Sequence, residues 1–174
     1  MKFYIVAIML FLFAGIGHAS STLFYDGFEA DNLAAVWTAE GTGGYYRDNS
    51  APLCIGSYKL EFTNKRYIAN KTAISTVGYS NIRFNFYMAA DSLESGEYCQ
   101  AQYSTDGGTT WISVAEIRDP NDLNKFAAYN VTLPSATENI ANLMIRFRIY
   151  GNATNDYLKI DEIYVLGDFK TVNQ

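Results

Sequence analysis

The sequence predicts an all-β fold, an antiparallel two-sheet jelly-roll sandwich. About ten short runs are rich in strand-favouring residues, and many of them alternate between apolar and polar positions. Turn-forming residues separate these runs at the spacing expected of a sandwich. No stretch has a convincing helical period, so we expect at most a single helical turn, around residues 134–140.

The strands follow one another without a repeat, a low-complexity tract or a linker. The three prolines, Pro52, Pro120 and Pro134, lie at predicted loop positions, as expected for a residue that cannot donate to a strand ladder. In chain order, the predicted strands are 23–29, 35–39, 58–63, 66–69, 81–89, 97–104, 111–117, 127–133, 143–150 and 157–166.

The turn after the sixth predicted strand is the best-defined local feature of the sequence. Residues 104–111 match the pattern Ser-x-Asp-x-Gly-x-x-Trp, and the Gly-Gly pair inside it supplies the positive φ angles of a tight turn. The Asp106 carboxylate can accept backbone N–H bonds within the turn, while Ser104 and Thr109 can cap it. Trp111 is then free to fold its ring beneath the turn. The pattern predicts a structure and indicates no reaction.

Alternation predicts which side chains lie between the two sheets, because successive residues of a strand point to opposite faces. The predicted core members are Trp37, Leu60, Phe62, Phe84, Phe86, Trp111, Ile145, Phe147 and Ile160.

The opposite faces of strands 81–89, 97–104 and 143–150 would combine guanidinium, amide and phenol groups if the three strands shared a sheet. Such a mixture suits sugars or a protein surface, since rings stack on apolar faces while amides and guanidinium groups bind hydroxyls. The alternative is a solvated sheet face carrying strand-favouring residues. The candidate ligand-binding residues are Arg83, Asn85, Tyr87, Gln100, Gln102, Arg146 and Arg148.

The first residues predict export. Lys2 precedes an apolar run over residues 3–16, and small residues at Gly17 and Ala19 fit a cleavage site. We therefore expect a signal peptide over residues 1–19, a single domain over 20–174 and a secreted, extracellular product. The apolar run is too short for a confident membrane span, and no later segment could cross a bilayer. No membrane insertion is expected.

Composition excludes several function classes. His18 is the only histidine and lies inside the predicted signal, so Ser-His-Asp and Cys-His catalysis are excluded for the mature chain, and common zinc sites lose their usual nitrogen ligand. The chain has a net charge of −5 and no Lys/Arg cluster, so nucleic acid is not an expected partner. The expected partner is an extracellular glycan or protein.

The two cysteines and three sequons fit an extracellular protein. An even cysteine count predicts a disulfide between Cys54 and Cys99, with a pair of buried free thiols as the alternative. The sequons predict glycosylation at Asn70, Asn130 and Asn152, each of which would have to face solvent.

The order of landmarks along the chain resembles a jelly-roll subrepeat of reelin, which carries an Asp-box hairpin. It is more distantly similar to MAM domains and to carbohydrate-binding modules of the same architecture, so the resemblance implies a galactose-binding-like or reelin-subrepeat-like sandwich. The chain differs from full reelin repeats in lacking their EGF-like insert and additional cysteines. The matching positions are Phe28-Glu29, Trp37, Leu60-Glu61-Phe62, Arg66, Thr72, residues 84–87, Tyr103-Ser104 with the Asp box, Leu133-Pro134, Arg146-Phe147-Arg148 and residues 160–163.

The resemblance implies a structural calcium ion. In such jelly rolls an acidic residue of the first strand and an Asp of the last strand meet at one edge of the sandwich, and carbonyls from an intervening loop complete the ligand shell. The matching residues are Glu29 and Asp161, with Asp26, Asp48 and Ser57 as weaker candidate ligands. Calcium prefers six to eight oxygen ligands, and the side chains of these candidate residues offer oxygen atoms. Alternatively, Glu29 and Asp161 are ordinary solvated carboxylates or partners of Arg or Lys.

Three function classes remain. The first is a secreted, non-catalytic recognition module, stabilised by calcium, that binds an extracellular glycan or protein. The second is a structural or assembly component of an extracellular matrix or coat, suggested by the 14 tyrosines and by unpaired strand edges. The third is a glycoside hydrolase using two carboxylates. No strand places two acids on one face, since adjacent Asp161 and Glu162 point to opposite faces, so we expect no enzyme.

Overall fold

A computed structural model describes residues 20–52 and 54–170, and these residues form two antiparallel sheets. The predicted signal peptide and residues 171–174 of the predicted domain lie outside the described residues. The elements are β1 (Ser20–Asp26), α1 (Leu33–Val36), β2 (Trp37–Gly41), β3 (Tyr45–Asp48), β4 (Lys59–Thr63), β5 (Lys65–Asn70), β6 (Tyr79–Asp91), β7 (Tyr98–Ser104), β8 (Ile112–Ile117), β9 (Ala127–Thr132), a 3-10 helix (Ser135–Thr137), β10 (Met144–Tyr150) and β11 (Tyr157–Phe169).

Sheet A has the strand order β3-β4-β11-β6-β9, and β1 also pairs with β11. Sheet B has the order β2-β5-β10-β7-β8. All of these pairs are antiparallel, which confirms the all-β, two-sheet prediction. β1 lies along the second half of β11, where Ser20 is opposite Asp168 and Asp26 is opposite Ile163.

All ten predicted strands are present, and the single turn expected near residue 134 is the 3-10 helix. Sequence reasoning missed β3, which has only four residues and follows Gly43-Gly44, a pair that is typical of a loop. The strand predicted to begin at residue 35 begins instead at Trp37, because α1 occupies the residues before it.

The core lies between the two sheets. Phe84 and Phe86 of sheet A meet Phe147 of sheet B edge to face, with ring centroids 5.6 and 5.2 Å apart. Of the predicted core members, Trp37, Leu60, Phe62, Phe84, Phe86, Ile145, Phe147 and Ile160 are buried. Burying a side chain of this size stabilises the fold by about 1.5–3 kcal/mol. The prediction was wrong for Trp111, which is only half-buried and lies against Arg146.

The predicted disulfide is absent, and both cysteines are free. Cys99 points into the core from β7, with its Sγ 3.9 Å from the Tyr157 carbonyl. Cys54 is half-buried in the loop before β4, near Asp161. The chain therefore carries the alternative weighed above, a pair of free thiols.

Part of the outer face of sheet A is a buried ion network. Lys59 is fully buried and donates to the Asp48 carboxylate and, at 2.7 Å, to the Ser50 carbonyl. Glu61 lies 3.9 Å from the ammonium groups of both Lys59 and Lys159. Buried charges are tolerated only when they are paired, so these side chains remain bound to one another. This part of sheet A is therefore not available to a ligand.

Candidate functional site

The predicted binding residues do not share one surface. Arg83, Asn85 and Tyr87 lie on β6 in sheet A, whereas β7 and β10 belong to sheet B. The condition that the three strands share a sheet is therefore not met. Alternation along a strand shows which residues share a face, but it does not show which strands are neighbours.

The sheet A group is occupied largely by structural contacts. Arg83 forms a salt bridge of 2.7 Å with Asp168 and donates to the Ser20 hydroxyl. The Asn85 side-chain oxygen is buried and has no hydrogen-bond partner in the described part of the chain. Asn85 and Tyr87 line a shallow pocket of about 300 Å³ together with Glu162.

The outer face of sheet B brings the remaining four predicted residues together. The β5-β10-β7 register places Arg148 between Tyr67 and Gln100, and Arg146 between Ala69 and Gln102. Arg146 and Arg148 alternate along β10 with the buried Ile145, Phe147 and Ile149, so their side chains point outward from the sandwich. Gln100 is half-buried, whereas Gln102 is only 6% exposed.

A directed chain of hydrogen bonds crosses this face. The Arg146 Nε donates to the Gln102 Oε1 at 2.5 Å, and the Gln102 Nε2 donates to the Gln100 Oε1 at 3.0 Å. The Gln100 Nε2 in turn donates to Glu116 at 2.6 Å, and Arg118 pairs with the same carboxylate. Each amide therefore has a fixed orientation, set by the arginine at one end and the carboxylate at the other.

Aromatic rings accompany the guanidinium groups. Tyr98 and Tyr150 stack with centroids 5.2 Å apart and planes at 9°, and the Arg148 guanidinium lies 5.4 and 5.6 Å from the two rings. Lys65 lies 4.1 Å from the ring of Tyr150. On the other side, Arg146 lies between Tyr67 and Trp111, at 5.1 and 4.3 Å. These contacts hold the cationic groups in place on a partly apolar surface.

A cleft of about 390 Å³ opens on this face. Its walls come from the end of β2 and from β5 and β10, and they include Lys65, Tyr67, Arg146 and Arg148. A volume of this size falls in the range of small-molecule sites.

The β7-β8 hairpin supports one end of the face. Asp106 accepts bonds from the Thr110 N–H at 2.8 Å and from the Ser104 and Thr110 hydroxyls at 2.7 Å. These hydrogen bonds lower the pKa of the Asp106 carboxyl to about 2. A Cβ at Gly108 would lie 3.3 Å from the Trp111 ring, so the ring packs against the turn as predicted, although on the outer face.

Sequence reasoning missed several members of this face, namely Lys65, Tyr67, Tyr98, Trp111, Glu116 and Arg118. A signal for Tyr98 was present. Tyr98 shares its strand face with Gln100 and Gln102, because alternate residues of a strand point the same way.

The predicted metal ligands Glu29 and Asp161 meet at one loop of sheet A. Glu29 Oε1 accepts the Ser57 and Tyr58 N–H groups at 2.8 and 3.0 Å, and Asp161 Oδ2 accepts the Ile55 N–H at 3.1 Å. Asp161 is fully buried, and this burial raises the pKa of its carboxyl to about 6.

Of the weaker candidate ligands, two carboxylates bind other protein groups and the third residue contacts Glu29 through its backbone. Asp26 accepts the Trp37 indole N–H at 2.7 Å and the Phe28 N–H at 2.8 Å, and Asp48 pairs with Lys59. Ser57 is exposed and contributes its N–H to Glu29. No group of three Asp, Glu, His or Cys side chains arranged to hold a metal ion is found among the described residues.

The three sequons differ in accessibility. Asn130 and Asn152 are exposed. Asn70 is 1% exposed, its Nδ2 donates to the Thr72 carbonyl at 2.8 Å, and its Oδ1 accepts the Ile145 N–H at 2.7 Å. The expectation that Asn70 faces solvent was wrong, because its amide is buried between β5 and β10.

Comparison with solved structures identifies the architecture. The K2 cleaved adhesin domain of Lys-gingipain aligns over 84% of this chain and 99% of its own at 18% identity, with a TM-score of 0.58. The CBM22-1 xylan-binding domain of Xyn10C from Paenibacillus barcinonensis aligns over 88% and 98% at 14% identity, with a TM-score of 0.57. The module TmCBM61, solved with β-1,4-galactotriose, aligns over 80% and 96% at 14% identity, with a TM-score of 0.53.

The fold is a jelly-roll sandwich. At these identities the likeness establishes the architecture and leaves the ligand open. No protein-family model matches the sequence, and no curated protein matches it. Within residues 20–52 and 54–170, no helix has the length and hydropathy needed to cross a membrane.

Proposed function

We propose that this protein is a secreted, non-catalytic glycan-binding module whose binding surface is the outer face of sheet B. The observation that carries the proposal is the convergence of two arginines, two oriented glutamines and several aromatic rings beside one cleft. The sandwich architecture shared with xylan- and galactotriose-binding modules supports it.

The surface suits a sugar for physical reasons. A pyranose ring has apolar faces, which pack on tyrosine rings, and a rim of hydroxyls, which exchange hydrogen bonds with amides and guanidinium groups. The hydrogen bonds from the buried Gln102 and to Glu116 fix the Gln100 amide before a ligand arrives. Little side-chain entropy is therefore lost on binding, which favours affinity.

Binding to a panel of immobilised polysaccharides tests the proposal. We expect selective binding by the wild type and at least a tenfold loss of affinity for Tyr67→Ala. Tyr87→Ala is the matched control, because it removes the same side chain from the outer face of sheet A and should leave affinity unchanged. Equal losses in both variants, or no polysaccharide bound at all, would contradict the proposal. Turnover of a panel member would contradict the non-catalytic assignment.

We also propose that Glu29 and Asp161 bind a structural calcium ion. The donor set fits in kind, because neither carboxylate forms a salt bridge with any described residue and Asp161 is fully buried beside Glu162 and Glu29. Carboxylate and carbonyl oxygens are the ligands that Ca²⁺ prefers. When bound, the ion would neutralise this buried charge and stabilise the loop before β4.

Thermal unfolding with Ca²⁺ and with EGTA tests the calcium proposal. A cation that binds only the folded state raises the melting temperature. We expect a higher melting temperature in Ca²⁺ for the wild type, no such response for Asp161→Asn, and a wild-type response for the control Glu94→Gln, which changes an exposed carboxylate elsewhere. A metal-free wild type that melts at the same temperature in both buffers would disprove calcium binding.

A further inference from the structure

Two guanidinium groups on the outer face of sheet B, those of Arg146 and Arg148, are not matched by carboxylates. Neither Arg146 nor Arg148 forms a salt bridge with any described residue. The two acids on the same face are already engaged. Glu40 accepts the Tyr67 hydroxyl, and Glu116 accepts Gln100 and Arg118.

Most donor groups of the two arginines are unused. Each guanidinium has five N–H donors. Arg146 donates to Gln102, and Arg148 donates to no protein group in the part of the chain that the structure describes. The faces of the Tyr98 and Tyr150 rings hold the Arg148 guanidinium in position by cation–π contacts. These contacts leave the N–H groups at the edge of the guanidinium free to bind an acceptor.

The two cations also destabilise one another. They are two residues apart on β10 and point the same way, so their Cα atoms are separated by roughly 7 Å. Burial and the neighbouring Arg148 lower the pKa of the Arg146 guanidinium. Lys65 and Arg66 add two more positive groups to the lining of the same cleft. An anion bound there would relieve this repulsion, although the chain as a whole has a net charge of −5.

We infer that the outer face of sheet B recognises acidic sugars, with Arg146 and Arg148 binding the carboxylate of a uronic acid residue. This inference rests on the proposed glycan-binding function and specifies its ligand class. A carboxylate is planar and has two oxygens, which match the fork of a guanidinium group in a bidentate pair. The adjacent tyrosines and the half-buried Gln100 would contact the ring and hydroxyls of the same sugar unit.

The test compares uronate polymers with their carboxyl-reduced forms, which keep the backbone and lose the charge. Polygalacturonate, alginate and glucuronoxylan are suitable polymers, each compared with its own carboxyl-reduced form. We expect binding of at least one acidic polymer to be about 10- to 100-fold tighter than binding of its reduced form, the range of one charge-assisted hydrogen bond. The affinity for the acidic polymer should fall with added NaCl, since exposed charges are screened over roughly 8 Å at physiological ionic strength.

Arg148→Gln should remove most of this preference, because its affinity for the acidic polymer should fall by a larger factor than its affinity for the reduced polymer. Lys125→Gln is the matched control, because it makes the same change in net charge at an exposed position outside sheet B and should retain the preference. Thermal melts of both variants establish that they fold.

The outcomes separate the two proposals. Equal binding of acidic and reduced polymers would overturn the uronate inference and leave the glycan-binding function standing. Equal or tighter binding of dextran sulfate would also overturn it, because the face would then respond to charge without recognising a carboxylate. Failure to bind any polymer would overturn both.

Discussion

The buried sequon makes Asn70→Ala the most informative single substitution. The Asn70 amide continues the β5-β10 pairing beyond its last backbone pair by accepting the N–H of Ile145, a residue with no exposed surface. Alanine would leave this buried donor without a partner, at a cost of about 1–3 kcal/mol, and would remove a second bond of about 1 kcal/mol to the Thr72 carbonyl. We therefore expect a loss of about 2–4 kcal/mol, or roughly 4–16 °C in melting temperature.

Urea unfolding of the protein expressed in a glycosylating host measures this loss. Thr72→Ala is the matched control, because it destroys the same sequon but keeps the backbone carbonyl that Asn70 binds. We expect it to have near wild-type stability, and we expect mass spectrometry to find no glycan on Asn70 in the parent protein. If both variants lose the same stability, or if Asn70 carries a glycan, the hydrogen-bond argument is refuted.

Three further predictions concern the core, the hairpin and the thiols. Phe147→Ala should lower the free energy of unfolding by about 3–5 kcal/mol in urea titrations, because it opens a cavity between the two sheets. The lowered pKa of Asp106 means that its ionised form stabilises the hairpin. This stabilisation is complete above about pH 4 and is lost as the pH falls through about 2. The fluorescence of Trp111 should report the loss. Iodoacetamide at alkaline pH should label Cys54 in the native protein, because this thiol is only half-buried, and the reaction should be slow because burial raises its pKa to about 11. Cys99 should react only after unfolding, because it is fully buried.

Each of these has a contrary result. A core loss below about 1 kcal/mol would mean that the site collapses around the missing ring. If the protein remains folded and its emission spectrum does not change between pH 5 and pH 2, the ionisation of Asp106 does not control the position of Trp111. Resistance of both cysteines to labelling after denaturation without reductant would indicate a disulfide after all.

The strands were predictable because alternation and turn residues are local signals. The β7-β8 hairpin shows this best, since the sequence of the turn specifies its own hydrogen bonds. The placement of the site was not predictable to the same degree. Arg83 and Arg146 have similar polar-face patterns on β6 and β10, yet they lie on opposite layers because strand order is decided by long-range pairing.

Burial of polar groups was the other limit. Lys59 and Glu61 flank the predicted core residue Leu60 on β4 and so point to the outer face of sheet A, yet both are buried among ion pairs. Asn70 reads as a glycan acceptor, but its amide completes the pairing between two strands. In both cases a polar residue satisfies a structural partner that lies far away in the sequence.

The pairing of β1 with the end of β11 has a consequence for how the protein can be presented. Ser20 and Asp168 are opposite one another, so both ends of the described chain emerge side by side from sheet A. A reporter fused at Ser20 or Phe169 would therefore attach to sheet A, and neither residue lines the cleft on sheet B.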